Sequence, residues 1–200
     1  MGRTKINTIL QPDEQSCGPV SLKHALEILG KRKSISTLSK LCKTSRNGTA
    51  TKNMIKALNG LGYSVLAVER ATLRHLISSL RYQPNKPRAV IVDYLYNLEN
   101  THDEPSWESG HWATVSSFSA SNSKIVLFDG YSGTKKSYHW QDFRKRWVDY
   151  DVMKKKVSPR SKKFKSFRRW RKQLLLVISS DPKHLPRFRY SSSAIYPGVN

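Results

Sequence analysis

Residues 9–22 read ILQPDEQSCGPVSL, and the interpretation of the whole chain depends on this stretch. Cys17, one of two cysteines in 200 residues, is followed directly by Gly18 and Pro19. Proline is favoured at the first position of a helix because the N–H that it lacks has no partner there. Apolar residues then recur at helical spacing, so the sequence predicts a helix over residues 18–29 with Cys17 at its amino-terminal end.

A cysteine at the amino-terminal end of a helix is a candidate nucleophile, because free N–H groups and the helix dipole favour its thiolate there. A thiolate that attacks a carbonyl also needs a base that later protonates the leaving group, usually His, and a donor for the oxyanion. The alternative is a small buried side chain, which is our interpretation of Cys42 on the apolar face of a predicted helix over 35–42. A disulfide between Cys17 and Cys42 is a further alternative, and it would silence the site.

The composition indicates one ordinary folded domain. Two hundred residues with a hydrophobic content of 38% are enough to build a core. No apolar run approaches the length of a membrane span, and the amino terminus lacks the apolar stretch of a signal peptide. Two cysteines do not make a disulfide framework. We therefore expect a cytoplasmic protein with no membrane span and no cofactor.

The charge is strongly positive and unevenly distributed. The chain carries 36 Lys and Arg against 14 Asp and Glu, and eleven of the nineteen residues from Lys154 to Lys172 are basic. This predicts a nucleic acid or other polyanion as partner, or association with a nucleoprotein particle, although a solubilising surface has the same composition. Phe164, Phe167 and Trp170 lie among these cations, where aromatic rings either stack on bases or anchor the segment to the core.

Hydrophobic periodicity predicts helices in the first part of the chain and mainly strands in the second. Helices are predicted over 18–29, 35–42, 51–61, 71–82 and 140–147, and strands over 63–68, 88–93, 112–118, 124–128 and 174–178. This order is typical of the α+β class with a mostly antiparallel sheet. The basic segment precedes the strand at 174–178, so we interpret it as an excursion, 154–172, from a domain over 1–180, with 181–200 as a C-terminal extension.

Among six histidines, His111 is the best placed to serve as the base. It follows Gly110 at the start of a predicted strand, and the next strand ends at Asp129. Neighbouring strands would bring the imidazole and the carboxylate together, so that Asp129 orients the ring. His24 lies about two helical turns from Cys17. Taken singly, His111 could equally be a core histidine and Asp129 a turn cap.

These residues resemble, in their order and spacing, the papain-like fold, and more closely the bacteriocin-processing (double-glycine leader) peptidases and their stand-alone relatives. The resemblance spans residues 9–147 and rests on four features: Gln11 six residues before the cysteine, Cys17-Gly18-Pro19, Gly110-His111-Trp112, and Asp129 at a strand end. It implies Cys17 as nucleophile and His111 as general base and acid. It also implies that Asp129 orients His111 and that Gln11 donates to the oxyanion.

Three positions qualify this pattern. Gln15 is a competing oxyanion donor, because it is also close to the cysteine in sequence. Relatives commonly have Pro after the Asp and an acidic residue or Asn before the Cys, whereas this chain has Gly130 and Ser16. The substitutions alter the surroundings of the site and remove no reactive group.

The resemblance implies a papain-like α+β fold with N-terminal helices packed on the sheet. It also implies a thiol-dependent hydrolase, a cysteine peptidase that cleaves peptide or isopeptide bonds of a peptide or protein through an acyl-enzyme. The alternative is a catalytically idle papain-like protein that contacts nucleic acid or a large assembly through its basic surface. Transporter-fused relatives carry membrane spans and an ATPase module, and neither is expected here.

Overall fold

The computed structural model describes residues 6–81, 85–96, 110–188 and 192–198. The loop predicted over 97–110 lies outside these ranges except for Gly110, and so does His102. In the described part of the chain, no helix is long and apolar enough to cross a membrane.

In the described ranges, five α-helices form where the periodicity predicts them, with ends that differ by one or two residues. They are α1 Cys17–Ile28, α2 Ile35–Leu41, α3 Thr51–Gly60, α4 Leu73–Leu80 and α5 Trp140–Arg146. The fourth helix begins later than predicted because Thr72 caps its start: the Thr72 N–H donates to His75 Nδ1 at 3.0 Å, and the Thr72 side chain accepts from the His75 N–H.

The described residues form nine strands in two antiparallel sheets. They are β1 Ser64–Glu69, β2 Ala89–Leu95, β3 Gly110–Ser119, β4 Lys124–Asp129, β5 Thr134–His139, β6 Val148–Lys156, β7 Phe164–Lys172, β8 Leu175–Ser179 and β9 Ser192–Tyr196. Seven strands form the main sheet in the order β5-β4-β3-β2-β8-β1-β9, and β6 pairs with β7. The α+β prediction with an antiparallel sheet is confirmed.

The main sheet is covered on both faces, which explains the continuous apolar runs in its central strands. Ala89 and Ile91 of β2 pack in a core with α1, α2 and α3, while Val90 and Val92 pack in a second core with α4 and α5. Alternate residues of a strand point to opposite faces. A strand buried on both faces therefore reads as an uninterrupted apolar run.

Hydrophobic periodicity does not predict β5 or β9. β5 is an edge strand, TKKSYH, with a largely exposed surface, so it lacks an apolar alternation. β9 lies within residues 181–200 and pairs with β1 at the opposite edge of the sheet. Edge strands bury few side chains, and the hydrophobic pattern therefore predicts them poorly.

The basic segment forms a two-stranded antiparallel ribbon. We call β6, β7 and the connecting residues 157–163 the basic ribbon. Residues 152–160 and 162–170 are exposed, so the ribbon projects into solvent beyond its base. The strand that follows the basic ribbon in the chain is β8, an interior strand of the main sheet. It is not the last strand of the chain, because β9 comes after it.

A buried ionic cluster attaches the ribbon to the body of the protein. The Arg171 guanidinium donates to Asp93 Oδ2 of β2 at 2.6 Å and forms a second ion pair with Asp151 of β6. Asp151 Oδ1 in turn accepts hydrogen bonds from the N–H and the hydroxyl of Thr51 at the start of α3. Burial raises the pKa of Asp93, and the Arg171 charge opposes that rise. Arg171 thus connects the ribbon to both the sheet and α3.

Replacing Arg171 with Met should destabilise the protein strongly, because it leaves the buried Asp93 carboxylate without its cation. We expect a loss of about 3–5 kcal/mol in the free energy of unfolding, measured by urea denaturation at neutral pH. Arg169→Met is the control, since Arg169 pairs with Glu69 at 3.6 Å on an exposed surface. Its loss should stay below about 1 kcal/mol. Equal losses in the two variants would contradict a special role of Arg171.

Candidate active site

Three elements bring Cys17, His111 and Asp129 together. Cys17 is the first residue of α1, His111 the second residue of β3, and Asp129 the last residue of β4. β3 and β4 are antiparallel neighbours, so the beginning of one lies beside the end of the other. His111 Nε2 lies 3.0 Å from Asp129 Oδ1, and both side chains are buried.

The electrostatics of this group favour a charged imidazole. Burial alone would lower the pKa of His111, but hydrogen bonds with Asp129 and Cys17 outweigh it and raise the pKa to about 9. Burial alone would likewise raise the pKa of Asp129, but hydrogen bonds from His111 and Ser132 hold it well below its usual range. Because Nε2 faces Asp129, Nδ1 is the ring nitrogen that remains for Cys17.

Asp129 is held by a set of donors that the sequence did not single out. Its two oxygens accept from the Ser132 hydroxyl at 2.7 Å and from the N–H groups of Tyr131 and Ser132 at 3.1 and 3.2 Å. The Tyr96 hydroxyl donates at 3.1 Å, and its ring packs against His111 with centroids 5.1 Å apart. Asp129 is therefore both a turn cap and the partner of His111.

The position of Gln11 differs from that of a free oxyanion donor. Its backbone N–H donates to the Gly130 carbonyl at 2.7 Å, which ties this segment to the turn after Asp129. Its side-chain Nε2 donates to the Asp13 carbonyl at 2.9 Å, and Oε1 is buried without a described partner. Gln15, by contrast, lines the cleft beside Cys17.

A glycine lies next to each of Cys17, His111 and Asp129 in the chain. At each of these glycines, a side chain from another part of the structure occupies the space that a Cβ would need. A Cβ would lie 2.6 Å from Thr49 at Gly18, 2.5 Å from Asp149 Oδ1 at Gly110, and 2.8 Å from Val20 at Gly130. Gly18 therefore admits the Thr49 side chain. Gly130 replaces the common proline at a point where α1 approaches the turn.

A cleft of about 480 Å³ opens over Cys17. Its walls are residues 43 and 45–50 on one side and residues 149–152 of β6 on the other, with Gly110 and Trp112 between them. Trp112 Nε1 donates to the Thr49 carbonyl at 2.9 Å, which holds the first wall against β3. The Ser16 hydroxyl donates to Asp13 Oδ1 at 2.7 Å, so Ser16 shapes the loop that precedes the nucleophile.

The remaining candidates have structural roles. Cys42 is fully buried, and burial raises the pKa of its thiol to about 12. Both cysteines are free, so the disulfide alternative is wrong. His24 is also fully buried, and burial lowers its pKa to about 4. Its Nε2 accepts from the Ile9 N–H at 3.2 Å, and the ring stacks on Phe128, which anchors the segment before Gln11 to α1.

Comparisons with known proteins identify the family and the fold. The model of the Peptidase C39 family matches residues 5–158. No curated protein matches the chain. The peptidase domain of Streptococcus ComA, a bi-functional ABC transporter involved in a quorum sensing pathway, is 18% identical, with a TM-score of 0.60 over 88% of this chain and 98% of that one.

A second solved structure is a double glycine motif protease from an AMS/PCAT transporter in complex with the leader peptide. It is 17% identical, with a TM-score of 0.55 over 89% of this chain and 94% of that one. At these identities the two structures show the fold. Together with the family match, they confirm the resemblance drawn from the sequence.

Asp129→Asn should lower the pKa of His111 from about 9, because it removes a charge that stabilises the imidazolium. Titration of the His111 ring protons by NMR would measure the shift, with Tyr96→Phe as a control that keeps the carboxylate. The native His111 pKa exceeds its ordinary 6.5, so its stabilisation is complete below 6.5 and is lost as the pH rises through about 9. An unchanged His111 pKa in Asp129→Asn would contradict this account.

Proposed function

The chain belongs to the Peptidase C39 family and is a cysteine peptidase; from this premise we propose that it cleaves peptide or isopeptide bonds through an acyl-enzyme on Cys17. The observation that carries the proposal is the position of His111, which is hydrogen-bonded to Asp129 at 3.0 Å and whose pKa Asp129 and Cys17 raise. A histidine between a thiol and a carboxylate can hold a proton for the leaving group while the sulfur attacks.

The proposed reaction has two steps. The Cys17 thiolate attacks the scissile carbonyl carbon, and the imidazolium of His111 gives its proton to the leaving amine as the C–N bond breaks. A water molecule then attacks the thioester with His111 as base, which releases the acid product and restores the thiolate. Asp129 stabilises the imidazolium in both steps and stays ionised.

We propose that Gln11 donates to the oxyanion, together with the N–H of Cys17 at the start of α1. Gln11 Nε2 would have to leave the Asp13 carbonyl, which it contacts at 2.9 Å, and turn towards the cleft. Catalytic hydrogen bonds often form only when the substrate is bound. Gln15, which already lines the cleft, is the competing donor.

The proposed substrate is a polypeptide, and a Gly-Gly sequence before the scissile bond is the first probe to use. The solved relative named a double glycine motif protease motivates this choice. The second proposed activity is binding of a polyanion, nucleic acid or other, through the basic ribbon. It is supported by the exposure of residues 152–160 and 162–170, which carry no acidic side chain.

Cys17→Ala and His111→Ala should each lower kcat for a fluorogenic Gly-Gly peptide by at least about 10³-fold, because each removes a reacting group. Gln11→Ala should lower kcat by about 10²-fold with little change in KM, as expected for a donor that acts in the transition state. Gln15→Ala is the matched control. A larger loss in Gln15→Ala than in Gln11→Ala would transfer the donor role to Gln15.

Iodoacetamide should alkylate Cys17 and spare Cys42 in the native protein, as read by mass spectrometry of the peptides. His111→Ala should slow alkylation of Cys17, because it removes the imidazolium that stabilises the thiolate. Peptidase activity should fall above about pH 9, where His111 loses the proton that the leaving group needs. Equal labelling of Cys17 with and without His111 would contradict the proposed pair.

A further inference from the structure

The basic ribbon begins inside the wall of the cleft. Tyr150, Asp151 and Val152 of β6 line the cleft over Cys17, and the same strand continues to Lys154 and beyond. At about 3.3 Å per residue, the exposed end of β6 at Lys156 lies about 20 Å from Tyr150. The cleft and the ribbon therefore form one continuous surface.

The exposed part of the ribbon is cationic along its whole length. No acidic residue occurs between Val152 and Lys172. The exposed cations between these positions are Lys154, Lys155, Lys156, Arg160, Lys162, Lys163, Lys165, Arg168 and Arg169. A substrate polypeptide that leaves the cleft along β6 thus meets only positive charges. These charges attract a segment rich in carboxylates.

β6 also offers an edge for main-chain hydrogen bonds. It pairs with β7 along one side, and in the described ranges no strand pairs with its other side. An extended polypeptide can add to such an edge, with its backbone bonded to the strand and its side chains against the neighbouring residues. A substrate held in this way would lie against the lysines of β6.

We propose that the basic ribbon binds an acidic segment of the polypeptide substrate, about six residues from the scissile bond, while the cleft holds the bond itself. This inference rests on the proposed peptidase function, since it assigns the ribbon to the substrate of the same site. The substrate class that it names is a protein with a run of Asp or Glu on one side of the cleavage site.

The aromatic residues of the ribbon favour this partner over a nucleic acid. Phe164 and Trp170 lie on one face, six residues and about 20 Å apart, whereas Phe167 lies on the other face opposite Met153. Trp170 packs against Tyr150 with ring centroids 4.9 Å apart, at the base of the ribbon. Successive bases need closely spaced aromatic rings on one face, and this arrangement lacks them.

The kinetic test uses two fluorogenic peptides with the same Gly-Gly core, one with a tail of about six Glu and the other with the same number of Gln. We expect the Glu tail to raise kcat/KM of the wild-type protein about tenfold at low salt, mainly through KM, and to lose this gain at high salt. The gain should appear with the tail on one side of the scissile bond only.

The matched variants each remove three positive charges. Lys154→Gln, Lys155→Gln and Lys156→Gln together should reduce the ratio of the two kcat/KM values to about one. Lys31→Gln, Arg32→Gln and Lys33→Gln together should preserve the ratio, because these residues follow the far end of α1, about 18 Å from Cys17. Equal losses in both variants would assign the gain to the total charge and overturn the proposal.

A binding test with the Cys17→Ala chain separates this proposal from the peptidase function. The labelled Glu peptide should bind in fluorescence anisotropy, and the ribbon variant should lose that binding. If neither substrate is cleaved but this binding is found, the peptidase function fails and the ribbon site stands. If the Gln peptide is cleaved and the Glu tail adds nothing, the ribbon proposal fails alone. Binding of an oligonucleotide in place of the Glu peptide would assign the ribbon to nucleic acid and overturn the proposal.

Discussion

The buried hydrogen bond between His111 and Asp129 is the interaction on which the site depends. Two ionisable groups are out of water here, and each is held in its charged form by the other and by nearby donors. The turn after β4 supplies backbone N–H groups and the Ser132 hydroxyl, so Asp129 stays ionised despite its burial. The antiparallel pairing of β3 and β4 brings the pair together, and the start of α1 adds Cys17.

The glycines next to Cys17, His111 and Asp129 allow other residues to pack closely, and this packing defines the cleft. Because Gly18 admits Thr49 and Gly110 admits Asp149, both cleft walls contact the elements that carry the proposed catalytic residues. Arg171 then joins the second wall to β2. The base of the ribbon is therefore joined to the cleft and the sheet, while residues 152–160 and 162–170 are exposed.

Particular residues show how far the sequence could be read. Cys17, His111 and Asp129 were identifiable because each lies at the end of an element with a strong hydrophobic pattern, and the ends of such elements can be located. Tyr96 and Ser132 were missed because nothing in their local sequence distinguishes them, and their role depends on contact with Asp129. The basic segment was predicted as an excursion, but its strands β6 and β7, like β5, were not predicted, because exposed strands rich in basic residues carry no apolar alternation.

The sequence by itself determined the α+β class, the order of most elements and the residues that we propose as catalytic, because hydrophobic periodicity and residue type are local properties. Only the tertiary structure decided that Gln11 contacts Asp13, that Thr49 fills the space beside Gly18, and that the basic segment extends a wall of the cleft. These features arise from contacts between residues far apart in the chain. Their geometry depends on how the sheet, α1 and the ribbon pack, which no local pattern encodes.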